Sequence, residues 1–245
     1  MNESVIYLPE VDSTNLWAKH NLDKFGPIGA VYTTHQTAGR GRLGRSWLDA
    51  PHKGLYYTAV IRTDLVQPAT LPLFASLAVC DALRERYRID CQIKWPNDLL
   101  LNGKKIVGIL CEVGPDGHSI VVGIGINVHQ QPEDFAGEVA DIATSLDLSL
   151  DGRACRAQLA AALLEEMDYL RREVLFAPER WLADYRAACL NIGRTVRLLR
   201  GDTRETVQAL RIDERYGLVV RHEDGTEETV RSGEVSVRGL YGYTE

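Results

Sequence analysis

Gly39-Arg40-Gly41-Arg42-Leu43-Gly44-Arg45-Ser46-Trp47 places three glycines and three arginines within nine residues. Glycine lets backbone amides approach a ligand closely, and arginine offers planar paired donors to carboxylate or phosphate oxygens. The stretch therefore has the makeup of an anion-gripping loop. Between Gln36 and Lys53 four cations (Arg40, Arg42, Arg45, Lys53) face a single carboxylate, Asp49, inside a chain of formal net charge −6. The positive charge is local. Ala30 to Thr34 and Leu55 to Ile61 on either side read as strands, so the loop joins two sheet elements. That setting rules out two readings of the formal G-x-G-x-x-G match. A dinucleotide fingerprint must open a helix, whereas Ser46 to Gly54 contains Pro51 and leads into a strand. The signatures that accompany a kinase glycine loop, and a Walker A sequence, are missing.

Working outward, Val5 to Leu8 reads as a short strand, and Asp12 or Ser13 caps a helix carrying Leu16, Trp17 and Leu22 that closes at Gly26-Pro27. Leu71 to Tyr87 is an apolar helix leading into strand Cys91 to Lys94. Leu99 to Leu101 and Lys105 to Glu112 flank Asn102-Gly103, a dipeptide suited to a tight hairpin because both residues tolerate positive φ. A second hairpin at Pro115-Asp116-Gly117 precedes strand Ile120 to Val128. Asp151 then precedes a long amphipathic helix with Leu159, Leu163, Met167, Leu170 and Val174 at helical spacing. Beyond the Trp181 to Leu190 segment the texture becomes five short strands, Thr195 to Leu199, Thr206 to Ile212, Leu218 to Arg221, Glu227 to Val230 and Val235 to Arg238, which suggests a small barrel.

Composition sets the outer limits. At 245 residues, 45% apolar and 25% charged, the chain is an ordinary globular one with room for one core or two unequal domains. With 34 acidic against 28 basic residues it is poorly suited to general nucleic-acid or membrane attraction. No signal-peptide pattern and no apolar run near the ~18 residues of a bilayer span are present, so a cytoplasmic protein without a membrane partner is expected. The five cysteines (Cys80, Cys91, Cys111, Cys155, Cys189) are irregularly spaced and contain no Cys-x-x-Cys pair. They are expected to be buried free thiols. The histidines show no ligand spacing, so no metal held by the protein alone is expected.

Three further constellations carry chemistry. Lys94-Trp95-Pro96-Asn97-Asp98 is followed by Gly103-Lys104-Lys105-Ile106-Val107-Gly108, and the intervening hairpin returns Lys105 beside Asp98. Gly123-Ile124-Gly125-Ile126-Asn127 puts two glycines into a strand, a sign of close approach by a ligand or another backbone; the strand is either a packed one or an edge that pairs between subunits. Asp12-Ser13-Thr14-Asn15 is a helix cap whose amides also suit an anion or a polar ring.

In this order, over essentially the whole chain, these segments resemble the biotin protein ligases. The family's Gly-Arg-Gly-Arg-x-Gly-Arg-x-Trp loop lies at Gly39 to Trp47, its Lys-Trp-Pro-Asn-Asp at Lys94 to Asp98, its Lys-x-x-Gly at Lys105 to Gly108 and its Gly-x-Asn strand at Gly125 to Asn127. The resemblance implies an α+β fold: a mixed, largely antiparallel sheet with helices, of the class II synthetase-like biotin/lipoate ligase type. A catalytic domain over 1–190 would be followed by an SH3-like barrel over 191–245, with Gly233 to Arg238 as its final motif.

The implied reaction has two steps. The biotin carboxylate attacks the α-phosphate of Mg·ATP to give biotinoyl-5′-adenylate and pyrophosphate, and a lysine of a biotin carboxyl carrier protein then takes the acyl group, releasing AMP. Carried over by position, Ser13, Thr14, Asn15, Gln36, Gly39, Arg40, Gly41, Arg42, Lys105 and Gly108 would hold biotin. Arg42, Trp47, Asn97, Lys105, Asn127 and Arg238 would hold ATP, with Trp47 packing on adenine once the loop closes. Lys105, Arg42 and Arg40 would be catalytic, and Asp98 would orient the incoming amine. Bifunctional members carry an N-terminal DNA-binding module for which this chain leaves no room, so a monofunctional enzyme without operator DNA, monomeric or homodimeric, is expected. Two rival readings are a lipoate ligase, which shares the chemistry but lacks this loop, and a non-catalytic nucleotide- or RNA-binding module. The segment from Arg194 onward, with nine basic and ten acidic residues, is not the basic surface the latter requires.

Overall fold

The computed structural model describes residues 5–63, 70–150, 154–174, 176–231 and 236–239. Its main element is a seven-stranded sheet ordered β1-β2-β3-β7-β6-β5-β4. The strands are β1 (Val5–Tyr7), β2 (Ile28–Thr33), β3 (Leu55–Arg62), β4 (Gln92–Lys94), β5 (Asp98–Leu101), β6 (Lys104–Val113) and β7 (Ser119–Ile126). Only β1 and β2 run parallel; every other pair in this sheet is antiparallel. The sheet is thus mixed and largely antiparallel. The β5–β6 hairpin turns on Asn102 and Gly103 at φ 51° and 77°, the left-handed pair that a two-residue turn demands.

Side chains alternate across each strand, and the alternation sorts the helices onto two faces. Val31, Val60 and Val121 meet Ala18 and Phe25, so α1 (Thr14–His20) covers one face. Their sequence neighbours Ala30, Ala59, Ile61, Ile120 and Val122 join the larger core built with α2 (Leu71–Tyr87) and α3 (Arg156–Tyr169). Leu159, Leu163, Met167 and Leu170 form the buried stripe of α3. The helix passes into a π-type turn over Leu170–Val174. It is capped at Cys155, while Asp151 lies outside the described residues.

After α4 (Leu182–Ala188) comes a second, five-stranded antiparallel sheet ordered β11-β10-β9-β8-β12. It comprises β8 (Thr195–Arg200), β9 (Thr203–Ile212), β10 (Leu218–Arg221), β11 (Glu227–Val230) and β12 (Ser236–Gly239). The turn between β9 and β10 packs on α2, α4 and the β4–β5 turn through Tyr216, whose ring meets Phe74 and Tyr185 and whose carbonyl accepts from Trp95 Nε1 at 3.4 Å. No helix among the described residues is long and apolar enough to cross a membrane.

One open alternative is decided and one expectation changes. The glycine-bearing strand β7 is not an edge: it lies at the centre of the sheet, hydrogen-bonded to β3 and β6. Burial pushes the thiols of Cys91 and Cys189 up to about 12 and about 11, but Cys155 is exposed and Cys111 is only partly covered. Cys155 sits at the start of α3, where the chain leaves the core.

Candidate active site

A cavity of about 430 Å³ opens on the α1 face of the sheet. Strand register shows how it is made. Tyr56, Gly125 and Gly108 lie side by side on β3, β7 and β6; Thr58, Gly123 and Leu110 form the next rank; Val60, Val121 and Glu112 the third. All point to the same face, and the glycines leave a trough where side chains would stand. Asn15 fills part of it at Gly123, where a Cβ would collide with its amide oxygen. The Trp47 indole lies over Gly108 and Gly125, and a Cβ on Gly125 would stand 2.7 Å from Trp47 Cε2. The two glycines noted in the sequence therefore accommodate two different neighbours.

The wall beside α1 is a buried polar network. Ser13 caps the helix, and Ser13, Thr14, Asn15 and Gln36 are all buried. Gln36 Oε1 accepts from the Thr14 amide at 2.8 Å and lies 3.1 Å from Thr14 Oγ1. Thr58 Oγ1 lies 2.7 Å from Asn15 Oδ1 and 2.8 Å from Thr14 Oγ1. Thr58 has one proton and an amide oxygen can only accept, so Thr58 donates to Asn15 and the Thr14 proton is left for Gln36 or Thr58. Asn15 Nδ2 in turn donates to the Leu110 carbonyl at 3.2 Å and to Glu112 at 3.0 Å. The Asn15 side chain is thus wholly engaged by protein atoms, and its effect on a ligand is through the wall it stiffens. The Thr14 amide is likewise already used.

The loop folds back on itself. Trp47 donates to the Gly39 carbonyl at 3.0 Å and Gly41 to the Arg45 carbonyl at 2.7 Å, closing a hairpin whose tip turns at Leu43 and Gly44 with φ 55° and 73°. Only one 3₁₀ turn, Arg42–Gly44, interrupts it, so the loop does not open a helix. Arg42 Nη1 donates to Asn97 Oδ1 at 2.9 Å, and Asn97 Nδ2 donates to the Ile109 carbonyl at 2.9 Å. Burial pulls the Arg42 pKa below the ordinary guanidinium value, with Asp98 opposing that shift. Arg40 Nη1 stands 3.7 Å from Glu112.

The cationic end forms where the two hairpin strands meet. Asp98 Oδ1 is 2.7 Å from Lys105 Nζ, and Asp98 Oδ2 is 3.9 Å from Lys94 Nζ. Lys94 is buried at 4% exposure. Lys105 Nζ also lies 5.1 Å from the centroid of a Trp47 ring, a cation–π contact. Trp47 Nε1 is buried without a partner. Asn127 Nδ2 donates to the Thr144 carbonyl at 2.9 Å, and Asn127 Oδ1 accepts from Gln130 at 3.3 Å. Arg40, Arg42, Arg45, Lys94 and Lys105 line the cavity against the carboxylates Asp98 and Asp134. A small anion with an apolar body fits such a lining.

Of the residues expected at the site, Ser13, Thr14, Asn15, Gln36, Arg40, Gly41, Arg42, Trp47, Asn97, Lys105, Gly108 and Asn127 line this one cavity. Gly39 sits at the loop root, where a Cβ would be 2.9 Å from the Trp47 carbonyl. Arg238 is on β12 opposite Arg197, and its side chain lies outside the described residues; its neighbour Val237 reaches the cavity. Sequence reading did not single out Thr58 or Glu112. Thr58 was visible as the one aliphatic hydroxyl in the run Leu55 to Ile61, but Glu112 had no signal of its own.

The sequence and architecture agree with those of known proteins. Residues 6–127 match the model of the biotin/lipoate A/B protein ligase family. The bifunctional ligase/repressor BirA of Bacillus subtilis is 35% identical over 92% of this chain and 71% of its own length. The biotin–[acetyl-CoA-carboxylase] ligase of Mycobacterium tuberculosis is 35% identical over 82% of this chain and 76% of its own length. The crystal structure of the biotin protein ligase from Aquifex aeolicus in complex with biotin and ATP superposes with a TM-score of 0.85 at 31% identity, covering 96% of this chain and 99% of that one. The chain belongs to the biotin/lipoate A/B protein ligase family.

Proposed function

We propose that the protein is an ATP-dependent biotin ligase, which joins biotin to AMP and then passes the biotinoyl group to a lysine of a biotin carboxyl carrier protein. One observation carries the reading. A glycine-floored trough, walled by Ser13, Thr14 and Gln36, ends at Lys105 and under the arginine loop, so a ligand with a polar ring, an apolar middle and a carboxylate meets matching chemistry along its length.

Lys105 and Arg42 take the carboxylate and the α-phosphate, whose mutual repulsion opposes attack; cations fixed in place stabilise the charge that builds as they combine. Arg40 and the Gly39 and Gly41 backbone cover biotin, Trp47 faces adenine, and Asn97, Asn127 and Arg238 complete the nucleotide side. Gly108 forms the floor and Asn15 braces the wall. Asp98 serves first to hold Lys105, with which it already forms an ion pair. Magnesium arrives bound to ATP. In this reading 1–190 is the catalytic unit and 191–245 an SH3-like unit, and the protein works in the cytoplasm as a monomer or homodimer.

ATP–pyrophosphate exchange tests the proposal. Exchange dependent on biotin is expected; exchange dependent on lipoate alone would favour a lipoate ligase, and RNA binding without any exchange would favour a non-catalytic module.

A further inference from the structure

Glu112 lies outside the groups that would touch a substrate, yet it joins three elements. From β6 its Oε1 is 2.6 Å from Lys19 Nζ on α1 and 3.7 Å from Arg40 Nη1 on the loop, while Oε2 accepts from Asn15 Nδ2 at 3.0 Å. Its side chain is 18% exposed. Burial pushes the carboxyl up, but the hydrogen bonds from Lys19 and Asn15 and the nearby Arg40 outweigh it and hold the group below the ordinary glutamate value, so it is anionic at neutral pH.

Two arginines of the loop tie it to the scaffold. Arg42 donates to Asn97, which is itself bonded to Ile109 on β6, and Arg40 faces Glu112 three residues further along the same strand. At 3.3 Å per residue these anchor points are about 10 Å apart. One anchor would let the loop swing about it, whereas two along a rigid strand fix its height and its direction. The second anchor also holds Asn15, the brace of the substrate-facing wall.

Resting on the biotin-ligase reading, we propose that Glu112 is a positioning residue, whose single charge sets the arginine loop and the Ser13 to Asn15 turn relative to each other and so keeps the adenylate enclosed. Glu112→Gln keeps an oxygen able to accept from Asn15 but removes the charge that attracts Arg40. Glu112→Asp keeps the charge on a shorter arm. Lys19→Met removes the bond to α1 while leaving the Arg40 pair.

The test uses the full chain loaded with biotin, ATP and magnesium, and follows the release of enzyme-held biotinoyl-adenylate beside thermal unfolding. Glu112→Gln should release adenylate about fivefold faster, which is about 1 kcal/mol at 1.4 kcal/mol per decade. Glu112→Asp should recover part of that loss, and Lys19→Met, which leaves the Arg40 pair in place, should stay within about twofold of the parent. Release by Glu112→Gln at the parent rate would overturn the proposal. So would a full fivefold rise in Lys19→Met, because Glu112 would then act only by buttressing α1. Should Glu112→Gln fail to fold, salt dependence of release by the unmodified protein decides: Arg40 is about half exposed, so added salt screens its pairing with Glu112, release must quicken, and a flat response overturns the proposal. An unmodified chain that forms no adenylate from biotin would instead remove the ligase reading, and this inference with it.

Discussion

Gly123→Ala and Gly125→Ala are predicted to fail in different ways, although the two positions are neighbours on the same face of β7. At Gly123 the new methyl group falls on Asn15 Oδ1. Asn15 cannot step aside without giving up Thr58 at 2.7 Å, the Leu110 carbonyl at 3.2 Å or Glu112 at 3.0 Å. Overpacking costs about 1 to 3 kcal/mol and a disrupted buried hydrogen bond about 1 more, less about 0.5 regained from a stiffer unfolded chain, leaving a loss of about 1.5 to 3.5 kcal/mol. For a chain of this length, at about 2 °C per kcal/mol, that is a fall of about 3 to 7 °C in Tm. At Gly125 the methyl group presses on the Trp47 indole, which belongs to a loop whose residues Leu43 to Ser46 are exposed. The loop lifts at little cost to the fold, so Tm should move by less than about 2 °C while bound adenylate escapes faster. Thermal unfolding and adenylate release, measured side by side on the two variants, check the prediction. Equal losses of stability in both, or a neutral Gly123→Ala, would refute the reasoning.

Three other predictions follow from the same geometry. Lys105→Ala should fold normally and lose adenylate formation by about 100-fold, the usual scale of about 3 kcal/mol for one lost transition-state donor, as single-turnover kinetics would show. Glu166, whose carboxyl is pushed up to about 7 by burial first and then by Glu85, Asp81 and Glu165, binds its proton more tightly folded than unfolded. It therefore favours the fold at low pH and loses that effect as pH rises through about 7. Discounted for solvent screening, Glu166→Gln should add about 1 kcal/mol at pH 8 and almost nothing at pH 4, read from unfolding at both. Of the five cysteines, exposed Cys155 should react first with a maleimide, and peptide mapping that finds Cys80 or Cys91 labelled earlier would contradict the burial described.

Much of this was legible from residues close together in the chain. The Leu71 to Tyr87 helix has the bounds its apolar run implied, and the Asn102-Gly103 turn brings Lys105 to Asp98 as hairpin geometry required. What escaped was set by register between distant strands. Glu112 meets Asn15 and Arg40 only because β6 lies two strands from β3 and beneath α1, and a one-residue slip would turn it to the opposite face. The standing of β7 was open for the same reason: alternating glycines look alike in a central strand and in an edge. Cys155 shows the converse limit, since its exposure depends on where α3 starts relative to the core and not on the usual preference of a thiol for the interior.

That central place of β7 has a consequence for how the molecule opens. The floor of the cavity is bonded on one side to β3 and on the other to β6, so its amides exchange with solvent only when much of the sheet comes apart. A small molecule seated there is therefore coupled to unfolding of the whole sheet and not to local fraying. Its occupancy should raise hydrogen-exchange protection in strands well beyond those it touches, by an amount that follows its concentration.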